Sequence, residues 1–168
     1  HMTDGDFYGS EKSVTVAEAS QFVIEFVAEK RTSSVLKAAA PLKAGEIIDT
    51  SVLNLKALKA FAAKEIADAK AKGLLLSVHL KATMMKVSDP IIFSAIVDVF
   101  FADIFAKYAN LFQELGIDTK NGLGDVYAKI AGHSMQAEVE AALNEAFANG
   151  PAVAMVNSEK GITNFQIP

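Results

Sequence analysis

The sequence predicts an α/β (α+β) fold: a mixed sheet with an N-terminal hairpin, packed against one long helix and several shorter helices. Three patterns favour this class. Apolar and polar residues alternate near the N-terminus, a long helical stripe of apolar residues fills the middle, and short continuous apolar runs lie between helical segments. With 168 residues, 51% of them hydrophobic, the chain can form one core that buries about 70% of its unfolded surface.

The N-terminal part is predicted to form strands and then a helix. Residues 13–17 (SVTVA) alternate as a strand does, and QFVIEFVA at 21–28 and VLKAAAPL at 35–42 are joined by the polar turn EKRTSS, which predicts a hairpin. A loop follows, and Thr50 or Ser51 is expected to cap a helix over about 52–72. Gly73 is the residue that would end this helix.

The strongest predicted element is a helix over 90–115, with Asp89 as its N-cap and Pro90 in its first turn. Apolar residues cover more than one of its faces, so we expect a further element to pack on it. In an excised piece, we expect this helix to expose an apolar face that drives self-association. Gly116 would end the helix.

The remaining elements alternate between strands and short helices. Strands are predicted at LLLSVHLK (74–81) and AVAMVN (152–157). Helices are predicted over about 125–131 and 135–148, the second capped by Ser134 and closed by Gly150-Pro151.

Composition and charge exclude several classes of partner. The net charge is −4 with Lys and Arg scattered, so neither nucleic acid nor an anionic membrane is an expected partner. The apolar run at 91–105 is short and contains Asp98 and Asp103, which favours a buried helix over a membrane span. Cysteine is absent, which excludes disulfides and thiolate metal sites and is typical of the cytoplasm.

The candidate chemistry centres on SVHLKATMMKVSDP at 77–90. If the preceding run is a strand, Ser77, His79 and Lys81 share one face. They either line a solvated edge or lie at the carboxyl end of a strand, where ligands bind in open α/β sheets. A lysine there could transfer protons if nearby cations lower its pKa, or hold a carboxylate. Lys81, nearer the strand end, is favoured over Lys86, and Met84-Met85 between them are expected to pack in the core.

Other polar segments give weaker signals. NGLGD at 121–125 resembles a phosphate loop only superficially, and a turn with Asp125 capping the next helix is favoured. NSEKG supplies Asn157, Ser158 and Lys160, which suit carboxylate binding, but such loops are common. No HExxH, no GxSxG and no carboxylate cluster occurs in the sequence, so the residues alone name no reaction.

Three long runs carry a resemblance to a known family. HLKATMMKVSDPIIF at 79–93, NGLGDVYAKI at 121–130 and AMVNSEKGITNFQIP at 154–168 closely resemble the monomeric, NADP-dependent class of isocitrate dehydrogenase. The segments EKSV and ALKAFAAKEIADAKAKG match the same region, so the resemblance covers essentially the whole chain.

The resemblance implies an enzyme several times longer, with a second domain that looks like a duplicated small domain of the dimeric isocitrate dehydrogenases. Residues 3–168 would then be a single α/β domain, an internal part of that enzyme, and His1-Met2 a remnant of an expression tag. The family oxidises and decarboxylates isocitrate to 2-oxoglutarate with NADP and Mg²⁺ or Mn²⁺.

By resemblance, Lys81 is the catalytic lysine, which transfers protons at the substrate hydroxyl and at the developing enolate. The family's remaining substrate, metal and NADP residues have no match here. We therefore expect this piece alone to be inactive, with no cofactor bound and with the rest of the parent chain as its partner. The alternative is a free-standing, non-catalytic α/β interaction module related to the enzyme.

Overall fold

The computed structural model describes residues 1–29, 31–80 and 84–167. The described chain divides into two compact units, one reaching to Leu53 and one beginning at Asn54. Lys81, the residue favoured for catalysis, lies outside the described residues.

The described residues form seven α-helices, six strands and one 3₁₀ turn, which confirms the α/β class. The helices are α1 (Phe7–Ser10), α2 (Leu55–Lys72), α3 (Ser88–Phe100), α4 (Ala102–Lys107), α5 (Ala109–Glu114), α6 (Leu123–Ile130) and α7 (Gln136–Asn149), and the 3₁₀ turn is Thr119–Asn121. The strands are β1 (Lys12–Thr15), β2 (Ser20–Val27), β3 (Ser33–Leu42), β4 (Ile47–Thr50), β5 (Met155–Asn157) and β6 (Ile162–Thr163).

The first unit contains the predicted hairpin. Strands β2 and β3 pair antiparallel, from Ser20 opposite Leu42 to Val27 opposite Ser33. Strand β1 pairs antiparallel with β4, which lies in a segment that the sequence predicts as a loop. No residue described in this unit is fully buried. Six hairpin residues expose 47% or more of their surface: Val23, Ile24, Phe26, Val27, Val35 and Leu36.

Helix α2 begins later than predicted. Its N-cap is Asn54, whose side-chain oxygen accepts the amide of Ala57 at 3.0 Å. Neither Thr50 nor Ser51 caps the helix, because Thr50 ends strand β4. The helix ends as predicted at Gly73, which adopts the left-handed conformation.

The long helix predicted over 90–115 is divided into α3, α4 and α5. Bends fall at Phe101 and Tyr108, with φ near −109° and −104°, and both side chains are at least 95% buried. The backbone hydrogen bonds continue across both bends, because the amides of Phe105 and Phe112 bond to the carbonyls of Phe101 and Tyr108. The apolar stretch is therefore bent around the core rather than straight. Asp89 lies in the first turn of α3 instead of capping it.

Two-sided packing of this stretch is confirmed. Phe93 and Val97 from one predicted stripe, and Phe101 and Phe112 from the other, are all more than 90% buried. The expected exposed apolar face is therefore not on this segment but on the β2–β3 hairpin. Asp98 forms an ion pair with Lys59 at 3.0 Å, and no helix in the described part of the chain is long and apolar enough to cross a bilayer.

The single mixed sheet of the prediction is not formed by the described residues. They form three two-stranded antiparallel sheets, and Leu76 makes one isolated parallel bridge to Val153. The described part of 74–81 is therefore not a regular strand. In its described part, Leu76 bonds to Ala152 and Ala154, and the amide of Leu74 donates to the carbonyl of Ala69 at 2.9 Å.

Helix α7 also starts differently from the prediction. Ser134 makes no capping hydrogen bond. Instead, the side chain of Gln136 reaches back and accepts the amide of Gly132 at 2.8 Å, and the His133 ring accepts the amide of Met135 at 3.1 Å. The entry to α7 is therefore closed by the side chains of His133 and Gln136 rather than by Ser134.

The core of the second unit is a cluster of phenylalanine rings with aliphatic neighbours. Phe101 lies 5.1 Å from Phe147 and 5.9 Å from Phe165, both edge to face. Tilted and edge-to-face pairs of this kind add to the free energy of burial. Fully buried aliphatic residues surround them: Val97, Leu123, Val126, Ile130, Val139 and Leu143.

Candidate functional site

The segment that leads to Lys81 is held by backbone hydrogen bonds. The amide of Leu76 donates to the carbonyl of Ala152 at 2.7 Å, and the amide of Ala154 donates back to Leu76 at 2.8 Å. Leu76 is therefore fixed on one side by the segment that precedes β5.

Side chains after Leu76 alternate as the sequence predicts. Ser77 and His79 are exposed, Val78 is 92% buried, and Leu80 packs against the core. The described part of the predicted polar face therefore points to the outside of the unit. Lys81 follows directly in sequence, and its placement stays a prediction.

Asn164 holds the same segment further along. Its side-chain Nδ2 donates to the carbonyl of Val78 at 2.5 Å, and its own amide donates to the carbonyl of Ala154 at 3.0 Å. Asn164 is 99% buried, and it is the one buried polar residue among the described positions. Asn164 is not among the residues predicted from the sequence. The available signal was an amide side chain next to the apolar Phe165.

Lys86 and the neighbouring methionines are exposed. Lys86 lies in the turn before α3, where it has no hydrogen bond or ion pair to the rest of the described chain. Met84 and Met85 expose 73% and 55% of their surface, so the prediction that they pack in the core is wrong. They belong to the turn rather than to a strand or helix, and no described element covers them.

NGLGD joins the 3₁₀ turn, which ends at Asn121, to α6, which begins at Leu123, and its amides are already occupied. The amide of Leu123 donates to the carbonyl of Phe165 at 2.9 Å, and the amide of Gly124 donates to Gln166 at 3.1 Å. The first turn of α6 therefore binds the chain's own C-terminal segment. Because these donors are used, the turn is not a phosphate site.

Asp125 lies inside α6 rather than at its N-cap. It accepts the amide of Asp118 at 2.7 Å and lies 2.8 Å from Nζ of Lys129. Burial acts to raise the pKa of Asp125, but the hydrogen bonds from Lys129 and Asp118 outweigh it and lower the pKa below its ordinary value. The Asp125 carboxylate thus connects the loop before α6, through the Asp118 amide, to the helix itself.

The segment NSEKG is the turn between β5 and β6. The side chain of Asn157 accepts the amide of Lys160 at 3.0 Å, and Gly161 has a φ of 66°. This local hydrogen bond accounts for Asn157 without a ligand.

A cleft of about 580 Å³ lies between α2, α4 and α7. Its lining includes Lys70, Lys107 and Glu145, but none of the described candidates His79, Lys86, Asn157 and Lys160. The contacts of Lys107 with Tyr108 and Glu138 raise its pKa well above the ordinary value. A lysine that transfers protons near neutral pH needs a lowered pKa, so Lys107 is not a candidate for that role.

Comparison with known sequences decides the family. The family model for monomeric isocitrate dehydrogenase matches residues 1–168. The chain belongs to the monomeric isocitrate dehydrogenase family. This confirms the resemblance carried by the three long runs.

Similar proteins in this family come from several bacteria. The chain is 51% identical over 170 residues to the isocitrate dehydrogenase (NADP) of Azotobacter vinelandii and 53% identical to isocitrate dehydrogenase (NADP) 2 of Colwellia maris. It is 42% identical to isocitrate dehydrogenase (NADP) 2 of Mycobacterium tuberculosis. In each case, the match covers 100% of this chain and 23% of the relative, so the chain spans about a quarter of their length.

The side chains that the structure describes do not form a site that fits a divalent cation. Mg²⁺ and Mn²⁺ prefer several oxygen ligands, usually including carboxylates. Across residues 1–29, 31–80 and 84–167, no three His, Asp or Glu side chains lie close enough together to hold a metal ion.

Proposed function

We propose that this chain is one segment of an enzyme that oxidises and decarboxylates isocitrate to 2-oxoglutarate with NADP. The observation that supports this most directly is the family match over residues 1–168, with 51–53% identity to two enzymes named for this coenzyme. Because the chain spans only 23% of those relatives, most of the active site is assigned to the remaining sequence. The proposed location is the cytoplasm, in line with the cysteine-free composition.

Lys81 is the proposed catalytic residue. Its neutral amine would take the proton of the substrate hydroxyl as hydride leaves for NADP, and the resulting ammonium would supply the proton that the enolate needs after decarboxylation. Neighbouring cations favour the neutral amine and so adapt a lysine to this task. The hydrogen bonds at Leu76 and Val78 support the proposal, because they fix the backbone from which Lys81 follows.

The coenzyme and the divalent cation, Mg²⁺ or Mn²⁺, are proposed to bind to the rest of the parent enzyme. The described residues contain no metal-binding cluster, and the first turn of α6 is closed by carbonyl groups. The proposed role of this segment is to present the lysine, and we expect the segment to have no turnover of its own.

The rest of the parent chain is also the proposed partner of the hairpin. A two-stranded hairpin alone is marginally stable in water, and both faces of β2 and β3 expose apolar side chains. Without the remaining chain, the same surface would favour self-association.

The second candidate is a non-catalytic module that binds another protein through the hairpin. The exposed apolar residues of β2 and β3 favour it. The reading frame of the parent gene separates the two candidates. A continuous frame into a longer dehydrogenase supports the enzyme, and a natural stop after Pro168 supports the module.

The direct test uses the full-length parent enzyme with Lys81→Met. We expect turnover of isocitrate to fall by at least about 100-fold, the size of a lost proton-transfer group. Lys86→Met, five positions further and exposed, is the matched control and should retain activity. Substantial activity of Lys81→Met, or isocitrate turnover by the 168-residue chain alone, would contradict the proposal.

A further inference from the structure

We propose that Asn164 is a positioning residue for the proposed catalytic lysine: its side-chain amide holds the Val78 carbonyl and so fixes the backbone from which Lys81 follows three residues later. This inference rests on the proposed function and extends it. Asn164 is not itself expected to touch the substrate.

The geometry singles out Asn164 as the point where three segments meet. Its Nδ2 donates to Val78 at 2.5 Å, and its backbone amide donates to Ala154 at 3.0 Å. Ala154 in turn donates to Leu76 at 2.8 Å. Asn164 is thus hydrogen-bonded to both the segment before β5 and the segment before Lys81.

The contact at Val78 is the last anchor before Lys81 within the described chain. Leu76 has two backbone bonds, but 77–80 form no ladder. Without the side chain of Asn164, the carbonyl of Val78 would be buried without its donor. The backbone after Leu76 would then be free to turn toward another partner. Fixing the supporting backbone is how proteins hold a catalytic group in productive geometry.

The carbonyl oxygen of the Asn164 side chain indicates that this residue does more than fill space in the core. The Oδ1 atom of Asn164 is buried and has no hydrogen-bond partner among the described atoms. An acceptor buried without a donor costs free energy, and an apolar residue in the same place would avoid that cost. The presence of an amide at position 164 is explained if its Nδ2 group is needed to donate a hydrogen bond to the Val78 carbonyl.

The chain offers a matched control in the preceding residue. The Oγ1 atom of Thr163 is likewise buried without a partner, but the Thr163 side chain does not bind the 76–80 segment. Thr163→Val removes that hydroxyl at nearly constant shape. A buried hydroxyl that makes no hydrogen bond contributes nothing to positioning, so this variant should keep the parent's kcat.

The experiment compares Asn164→Ala, Asn164→Asp and Thr163→Val in the full-length parent enzyme. For Asn164→Ala we expect kcat to fall on the order of 10- to 100-fold, the effect of a small misplacement of a catalytic group, while KM for NADP stays within about twofold. Thermal unfolding of each variant establishes that the assayed enzyme is folded.

The Asn164→Asp variant supplies a pH signature. An ionised carboxylate cannot donate to the Val78 carbonyl, whereas a protonated carboxyl can. Burial raises the pKa of a carboxyl group. The ratio of variant to parent kcat should therefore rise as pH falls, while the ratio for Asn164→Ala stays flat. His79 lies beside Val78, is exposed and is present in both proteins, so its contribution cancels in the ratio.

Lys81→Met in the same series separates the two possible failures. If Lys81→Met is inactive but folded Asn164→Ala keeps kcat within about twofold, the positioning role is wrong and the proposed function stands. If Lys81→Met remains active, the proposed function itself fails. If Asn164→Ala does not fold, a flat kcat ratio for Asn164→Asp across pH overturns the positioning role.

Discussion

The backbone carbonyl of Gln166 lies 2.6 Å from the position that a Cβ atom on Gly122 would occupy. Gly122 also has φ 76° and ψ −179°, a conformation essentially restricted to glycine. We therefore expect Gly122→Ala to lower the free energy of unfolding by about 3 kcal/mol, from the strained backbone and the clash together. Urea denaturation of the chain measures this change.

Gly132→Ala is the matched control for that substitution. Gly132 has nearly the same φ, 77°, but no atom lies within 4 Å of its Cβ position. The substitution adds backbone strain but no clash, so the free energy of unfolding should fall by about 1 kcal/mol. Equal losses at the two positions would show that the contact between Gly122 and Gln166 contributes nothing.

Asp125→Ala tests the fastening of the loop to α6. The substitution removes the acceptor of the Asp118 amide and the partner of Lys129, so the expected loss of stability is about 1–3 kcal/mol at pH 7. The pKa of Asp125 is lowered in the folded state, so its contribution is complete above the ordinary value of 3.8 and disappears as pH falls through the lower folded value. Urea denaturation between pH 2 and pH 7 measures this dependence.

Asp68→Ala is the control for the ion pair alone. Asp68 pairs with Lys72 four residues along a helix at 2.8 Å, the same spacing and distance as Asp125 with Lys129, but both side chains are exposed. Such exposed pairs contribute little to stability, so the expected loss is much smaller than at Asp125. A loss at Asp68 as large as that at Asp125 would assign the effect to charge rather than to the Asp118 amide.

Tyr108→Phe tests the contact between α4 and α7. The Tyr108 hydroxyl donates to Glu138 at 2.8 Å, and the ring is 95% buried. We expect a loss of about 1 kcal/mol in the free energy of unfolding. Because the hydrogen bonds from Lys107 and then Tyr108 lower the pKa of Glu138, that pKa should rise toward its ordinary value in the variant, which NMR titration can follow.

Tyr8→Phe is the corresponding control, since Tyr8 is 89% exposed. Removing the Tyr8 hydroxyl should change the free energy of unfolding by less than about 0.5 kcal/mol. The prediction for Tyr108 is wrong if the two variants unfold at the same urea concentration.

Phe165→Ala and Phe26→Ala compare the core with the hairpin. Phe165 is fully buried among three phenylalanine rings, so its truncation should cost about 3–5 kcal/mol. Phe26 is 57% exposed, and in the 168-residue chain its loss should cost less than about 1 kcal/mol.

The same Phe26 substitution tests what covers the hairpin. In the full-length parent enzyme, the cost should exceed about 2 kcal/mol if the remaining chain packs against β2 and β3. An equally small effect in both proteins would contradict the proposed partner of this surface.

The predicted features that were confirmed depend on neighbours in sequence. The β2–β3 hairpin follows from alternation and a polar turn, and Gly73 ends α2 because the left-handed conformation suits glycine. The burial of Phe93, Val97 and Phe101 follows from helical spacing alone.

The predicted features that were wrong depend on distant residues. The hydroxyl of Ser10 binds both the amide and the carbonyl of Val52, 42 positions away, and β4 occupies the residues before it, so α2 begins only after Asn54. The bends at Phe101 and Tyr108 involve neither proline nor glycine, so no local sequence signal predicts where the helix is divided.

The sequence by itself determined the family, the α/β class, the apolar stretch at the centre of the core and the identity of the candidate lysine. These depend on residue types, spacing and long distinctive runs, all of which are local. Tertiary structure alone decided that the amides of NGLGD are occupied and that Asn164 holds Val78 across 86 positions. The physical reason is that a buried donor or acceptor must find a partner in space, and sequence distance does not limit which partner it finds.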